Sequence, residues 1–524
     1  MKFSVPFNVI FMILTFSMMD FVNQIQQLVF TTLTSTLTAM YNHTLETHFG
    51  IQPSEGSISV MNSFMTSANL GGMLFSLLFL MPLGESKGRK YAVIYVRFAI
   101  TFISGLCQLT AALFGAAEFF MVSQFLNGCQ VPLKMFVTLL YVMECAPDEH
   151  RGFTSTALIF SDVIGQVFMY AVASPNVLGK ENTWFIFPLI VLISSTSVFC
   201  LNVRLPESPK WLVRQNRMEE AATAIVFYHG KNCSLKEVLE SYVREKNLTV
   251  ENRISMRQVY ENDTMREALK IVLAVTMFLT IDSSTVQAVY TVLLHTGAGF
   301  TVQQAMNINL VLSILLFPTK FIGTYIIDAL GRRPVMAIAG GILYTKTLIM
   351  VATQFIIFIN GPSLLTEIMY LAVELLTQSV PATGVMSIGI LFISELFPPS
   401  ARLSVAQLLF IIPMMINFPT VSLFPVIYTF FAPGFFLIYI FTQFLLGTYL
   451  VKHMPETRAR AVCDIIEGLD KDVASRTSSL LEEDTPLLRD RARSHGVKRS
   501  SILITSRTRA STFNHGLVSD KWNC

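Results

Sequence analysis

Apolar runs long enough to cross a hydrocarbon core of about 30 Å recur along this chain in two sets, and no other feature constrains its fold as much. The first set covers residues 7–30, 57–81, 91–114, 118–143, 153–173 and 183–203. The second covers 268–295, 303–328, 334–358, 366–394, 402–430 and 432–452. Backbone groups in a bilayer find no water to satisfy them, so segments of this length and composition must close their hydrogen bonds internally as helices. The sequence therefore reads as an all-α membrane protein of about twelve transmembrane helices in two six-helix halves. Between the halves lies one charged stretch with helical periodicity (Leu212, Ala221, Ala222, Ile225, Val226), which reads as a soluble helical insert. The expected divisions are 1–203, the insert 204–267, 268–457, and a largely disordered tail 458–524.

Composition agrees. Charged residues make up 14% of the chain, against about 25% in a typical soluble domain, and the mean hydropathy is +0.54. A net charge of +3 without a basic patch argues against a nucleic-acid partner. The seven cysteines form no CxxC pair or His/Cys cluster, so no metal and no disulfide framework is expected. No nucleotide-binding loop or nucleophile–base set stands out, so neither an enzyme nor a cofactor is expected.

Lys87, Arg89, Lys90, Arg151, Arg332, Arg333, Arg402 and the insert fall on one side of the membrane, while the other side holds little beyond Lys180. The positive-inside rule then places both termini in the cytoplasm. Asn42-His-Thr lies in the first outer loop and is a candidate N-glycosylation site. In the tail, Glu483 precedes Leu487 and Leu488 in the pattern of an acidic dileucine signal. That pattern implies a clathrin adaptor as partner and a plasma-membrane or endosomal–lysosomal location.

The two halves carry the same punctuation. Gly88-Arg89-Lys90 answers Gly331-Arg332-Arg333, and Glu144, Pro147 and Arg151 answer Glu395, Pro398 and Arg402. Pro206-Glu207-Ser208 answers Pro455-Glu456-Thr457, each pair about 250 residues apart, as in a transporter built by duplication. These pieces, with Tyr141-Val-Met-Glu144 and Arg204–Leu212, resemble the sugar porter family of the major facilitator superfamily, which includes the facilitative glucose transporters. The resemblance implies the major facilitator fold and alternating access. Glu85, Arg89, Glu144, Arg151, Glu207, Arg332, Arg333, Glu395, Arg402 and Glu456 then form a gating set. Its charge-assisted hydrogen bonds are expected to run between the halves and to close the cytoplasmic side.

The family's sugar-binding positions are altered. Ile159 and Ile281-Asp282 stand where glutamines are expected, Gln287 and Leu316 where asparagines are, and Ile390 near a tryptophan position; Asn417 matches. Glu85-Ser86 replaces Asp-Arg, and Gln124 replaces an arginine. Charge appears instead. Asp20, Lys134, Asp282 and Glu374 fall in spans that line the cavity of this fold, with Asp162 and Lys320 adjacent. Lys346 is expected at the periphery, with little role. The candidate solute-binding residues are Asp20, Asp162, Asp282, Gln287, Glu374 and Asn417. The expected function is alternating-access transport of a small organic solute of sugar or polyol type, in contact with membrane lipid. Transport of a charged solute, with or without proton coupling, is the alternative, and a non-transporting sensor or receptor is the second.

Overall fold

The computed structural model describes residues 6–147, 151–173, 177–180, 182–230, 234–250, 256–316, 318–319, 326–327, 329–385, 388–397 and 399–456. Regular structure in the described residues is helical. In the first half α1 (Phe7–Thr32) is followed by the short α2 (Thr34–Thr47), then α3 (Glu55–Ser86), α4 (Tyr91–Phe114), α5 (Ala117–Cys145), α6 (Arg151–Val172) and α7 (Ile186–Asn202). The insert supplies α8 (Pro209–Arg214), α9 (Met218–His229), α10 (Leu235–Val250) and α11 (Met256–Glu261). The second half begins with a broken span, α12 (Asp263–Thr280), α13 (Ser283–Val289) and α14 (Thr291–Ala298). It continues through α15 (Val302–Leu315), α16 (Arg332–Asn360), α17 (Leu364–Ser379) and α18 (Ile388–Leu396). The last run, α19 (Pro399–His453), leaves helical geometry at Phe431 (φ −155°, ψ 79°), which divides it into the eleventh and twelfth spans.

Polar caps start the helices at the end away from the insert. Ser54 with Ser57 closes α3, Thr301 with Gln304 closes α15, and Ser363 with Thr366 closes α17, each satisfying backbone N–H groups that an apolar start would strand. The sequence did not announce α2, which is pinned through Thr44. Its buried hydroxyl donates to the Gly115 carbonyl at 2.8 Å and accepts from the Ala117 N–H at 3.0 Å. The glycosylation candidate Asn42 is therefore half-buried inside a helix rather than in an open loop.

Each half has its own apolar core. Val272, Val275, Phe392, Val405 and Leu409 pack in the second half, and Phe16, Leu133, Tyr141 and Val142 in the first. The insert folds around Trp211, Leu212, Ile225 and Tyr242. It is fixed to the first half by an Asn8 Nδ2 bond to the Phe227 carbonyl (2.7 Å) and by Tyr228, whose hydroxyl meets Tyr141 and the Pro206 carbonyl. Many large apolar side chains stay outward, among them Phe79, Phe114, Ile193, Val311, Phe441 and Phe444, as a lipid-facing surface requires.

Candidate functional site: buried ion pairs and a broken span

At the insert end the duplicated motifs build the same device twice. Gly88 and Gly331 adopt φ +114° and +98°, so the chain turns sharply and aims the next N–H groups outward. Glu207 accepts from the Lys90 N–H at 2.9 and 3.1 Å. Glu456 accepts from the Arg332 and Arg333 N–H groups, both at 3.0 Å. A carboxylate is favoured there by the positive end of the following helix. Arg89 donates to Glu144 at 3.2 Å and to the Gly84 carbonyl at 2.8 Å; Arg332 donates to Glu395 at 2.9 Å and Arg333 to the Val451 carbonyl at 2.9 Å. The first copy is the drier one, because Ser208 donates to Glu144 and Trp211 donates to the Glu85 carbonyl at 2.8 Å, laying the insert over it.

The hydrogen bonds described for Arg89, Glu144, Arg332, Arg333, Glu395 and Glu456 join partners within one half, and Glu207 ties the insert to the first half. The reason is local: each Gly-Arg loop joins the second and third spans of a half, next to the end of that half's fourth span. Bonds across the halves at this end belong to the state in which it is closed. Glu85 takes part through its carbonyl, and its side chain is exposed. The side chains of Arg151 and Arg402 lie outside the described residues, as do Asp162's side chain, Lys320, Glu483, Leu487 and Leu488.

Contacts between the halves gather at the opposite end. The Tyr290 hydroxyl meets the Thr66 hydroxyl, and its ring lies edge-on to Phe30 at 6.4 Å. Leu70 packs with Ile281, Tyr290 and Phe424, and Tyr170 packs with Val292 and Met306. The described contacts thus close the molecule on the α2 side.

Inside, the acids read as cavity charges have partners. Asp20 accepts from Arg97 Nη2 at 2.9 Å, and Arg97 Nη1 donates to Thr138 at 2.7 Å; Asp20 and Arg97 are 2% and 0% exposed. Two wide, π-type turns, Tyr91–Val96 and Leu133–Thr138, end beside this contact, the second following Pro132. Asp282 accepts from Lys346 Nζ at 2.6 Å and from Gln443 Nε2 at 2.6 Å. Lys346 is 0% exposed, which overturns its assignment to the periphery: its long stem reaches from α16 into the bundle to meet the Asp282 carboxylate, which neutralises it. Lys134 is half-buried. Glu374 is 4% exposed, and its carboxylate accepts from Gln378 at 3.2 Å.

Two expected amides border the break in the seventh span. Asn417 donates to the Thr280 carbonyl at 3.0 Å, where α12 ends, and its Oδ1 has no partner among the described residues. Gln287, on α13, accepts from Thr377 at 2.8 Å, and its Nε2 has none. Arg97, Thr138 and Gln443 escaped sequence reasoning. Arg97 had a signal, since it is the lone charge in residues 91–114.

This helical architecture can be set beside known proteins. A family described as Sugar (and other) transporter matches residues 12–467, most of the chain. The chain belongs to that family. It is a transmembrane porter of the sugar type with the major facilitator fold, and not an enzyme. Among curated relatives, the major myo-inositol transporter IolT of Bacillus subtilis (strain 168) is 22% identical over 414 residues, 77% of this chain and 85% of that protein. The human solute carrier family 2, facilitated glucose transporter member 9, is 24% identical over 448 residues, 83% of this chain and 80% of its own. Among solved structures, the inward-open xylose transporter XylE from E. coli superposes with a TM-score of 0.67 at 17% identity, covering 88% of this chain and 99% of that one.

Proposed function

We propose that this porter carries a neutral polyhydroxylated solute, a sugar or polyol, through the space bordered by the break in the seventh span. One observation carries the reading. Beside that break, Gln287 Nε2 and Asn417 Oδ1 are a buried donor and a buried acceptor without partners among the described residues. A hydroxyl group donates and accepts, so a solute rich in hydroxyls complements both. Asp20 and Asp282 spend their charge on Arg97 and Lys346, which removes the main support for an ionic solute. The names of the inositol, glucose and xylose transporters among the relatives agree with the reading.

Replacing Gln287 or Asn417 with Leu tests it. Each should raise the half-saturating concentration for uptake about tenfold or more, because sites built to bond a hydroxyl lose discrimination steeply when a partner is missing. Unchanged concentration dependence in both variants would refute it. A second reading, coupling to protons, is favoured by Glu374, which makes no ion pair among the described residues and interacts with the buried His295. Glu374→Gln would then abolish the response of uptake to a pH gradient and leave exchange intact.

The basic loops support an orientation with the insert and both termini in the cytoplasm and α2 outside. In that orientation Glu483, Leu487 and Leu488 are available to a clathrin adaptor, and Asn42 to glycosylation. Changing both leucines to Ala should raise the surface-biotinylated fraction. Asn42→Gln should speed migration on a gel if the site is used.

A further inference from the structure

We propose that a groove on the lipid face of the first half, between its second, third and fourth spans, binds one phospholipid of the leaflet on the insert side. The phosphate is held at Lys87 and Tyr91, and one acyl chain lies along α4. The groove has a volume of about 310 Å³ and is walled by Phe75 of α3, by Tyr91, Tyr95 and Ile103 of α4, and by Phe125 of α5. Side chains four residues apart share a helix face, so Tyr91, Tyr95, Ala99 and Ile103 form one row along α4. The two tyrosines and Ile103 are large and exposed, while Ala99, with a single methyl group, opens the row between them. From Tyr91 to Ile103 the row runs roughly 18 Å at about 1.5 Å per residue. That is a little more than one leaflet of a hydrocarbon core about 30 Å thick.

The shape follows from how the three helices are built. Gly72 of α3 and Gly128 of α5 bring those helices so close that a Cβ on either would overlap the facing carbonyl, of Phe125 or of Asn69. Gly72 meets the backbone of Phe125 and Cys129, both of which line the groove. No gap opens there between α3 and α5, so the groove is a recess with a floor and not a passage into the bundle. Its other walls carry wide, π-type turns, Ser76–Leu80 in α3 and Tyr91–Val96 in α4, the second holding both tyrosines. Such turns re-aim side chains and recur at functional sites.

The mouth is polar where the rest is apolar. Lys87 Nζ stands over the Tyr91 ring, 5.1 Å from its centre, and makes no ion pair among the described residues, whereas Lys90 faces Glu207. The rings of Tyr91 and Tyr95 lie 6.1 Å apart, and their hydroxyls make no hydrogen bond among the described residues. An ammonium and two phenols are donors for the oxygens of a phosphodiester, and tyrosine favours the depth at which headgroups lie. Glu85 is exposed on the same loop, so the mouth is a poor trap for a free anion; chain and phosphate must hold together. A sterol would fill the recess and bring nothing to Lys87. Every wall belongs to the first half, so the site persists through alternating access. Its occupant stabilises that half and does not select the open side.

The test needs neither the solute nor the orientation. Monodisperse protein in detergent is illuminated with phosphatidylglycerol carrying a mid-chain diazirine, and the attached peptides are read by mass spectrometry. Attachment should concentrate on residues 91–103. Plain phosphatidylglycerol should compete for it, and diacylglycerol, which lacks the phosphate, at least about fivefold less well. Lys87→Gln should lower attachment by about the same factor, the share of one lysine at a lipid surface. Ala99→Leu fills the row from the lipid side and should abolish attachment, while Ile193→Phe, on the lipid-facing surface of α7, should leave it unchanged. Added phosphatidylglycerol should raise the thermal midpoint of the parent more than that of Ala99→Leu. Attachment spread evenly over the lipid face, or unaltered in Ala99→Leu, would overturn the site. Equal competition by diacylglycerol would overturn the phosphate contact and with it the proposal. A parent that elutes as a dimer and becomes monomeric in Ala99→Leu would assign the groove to a second copy instead.

Discussion

Asp20→Asn should destabilise the protein through the partner it leaves behind. Arg97 is fully buried, with Nη2 on Asp20 at 2.9 Å, Nη1 on Thr138 at 2.7 Å and Nε without a partner. An asparagine oxygen can still accept from Nη2, so the hydrogen bond survives while the compensating charge disappears. An uncompensated buried charge of this kind costs about 3–5 kcal/mol, roughly two to three and a half decades in the folded fraction. That is a large share of a total stability of about 5–15 kcal/mol. Fluorescence-detected size exclusion after stepwise heating in detergent reads the loss as a lowered midpoint. Adding Arg97→Gln to Asp20→Asn should restore most of it, with a coupling of about 2–3 kcal/mol between the two sites. Losses that simply add in the double variant would refute the claim that this charge balance holds the first half together.

Three further outcomes follow from the geometry. Gly88→Ala should lower folded yield more than Gly331→Ala, because a Cβ at Gly88 would lie 2.2 Å from a Glu207 oxygen and one at Gly331 2.9 Å from Glu456; positive φ adds about 1–3 kcal/mol to each. Burial raises the Glu207 carboxyl above its ordinary value despite the Lys90 and Ser208 N–H groups. The folded state therefore binds more protons than the unfolded state in the window just above the ordinary carboxylate range, and stability falls as pH rises through it. Mild acidification should raise the midpoint of the parent and leave that of Glu207→Gln unmoved. Tyr290→Phe deletes one hydrogen bond between the halves, worth about 0.5–1.5 kcal/mol, and should raise the labelling of a Leu70→Cys variant by an impermeant maleimide, applied from the α2 side, roughly two- to tenfold.

The spans, the insert and the duplicated motifs were legible because each rests on a one-dimensional signal: run length, charge density, spacing. The internal partners of Glu207 and Glu456 were not, since a motif at a helix end shows which residues carry charge without showing which half answers them. Lys346 is the instructive case. A lone base within the apolar run 334–358 and a lone acid within another span of the same half already suggest a pair, as do Arg97 and Asp20 in the first half. Assigning each span separately to cavity or periphery concealed that, because a lysine stem can carry its charge well away from its own helix face. Gln443 gave no signal at all, being an amide on a span that the fold places outside. The break at Ile281 and Asp282 was equally silent, since no proline or glycine marks it and the capping aspartate reads as a cavity charge.

The central claim, that the interior is built for a neutral polyhydroxylated solute, is tested most directly by uptake into proteoliposomes across matched panels of sugars, polyols, and organic anions and cations. Uptake of at least one sugar or polyol, saturable and reduced by Gln287→Leu and Asn417→Leu, is the predicted result. Saturable uptake confined to charged solutes, indifferent to both substitutions, would contradict it.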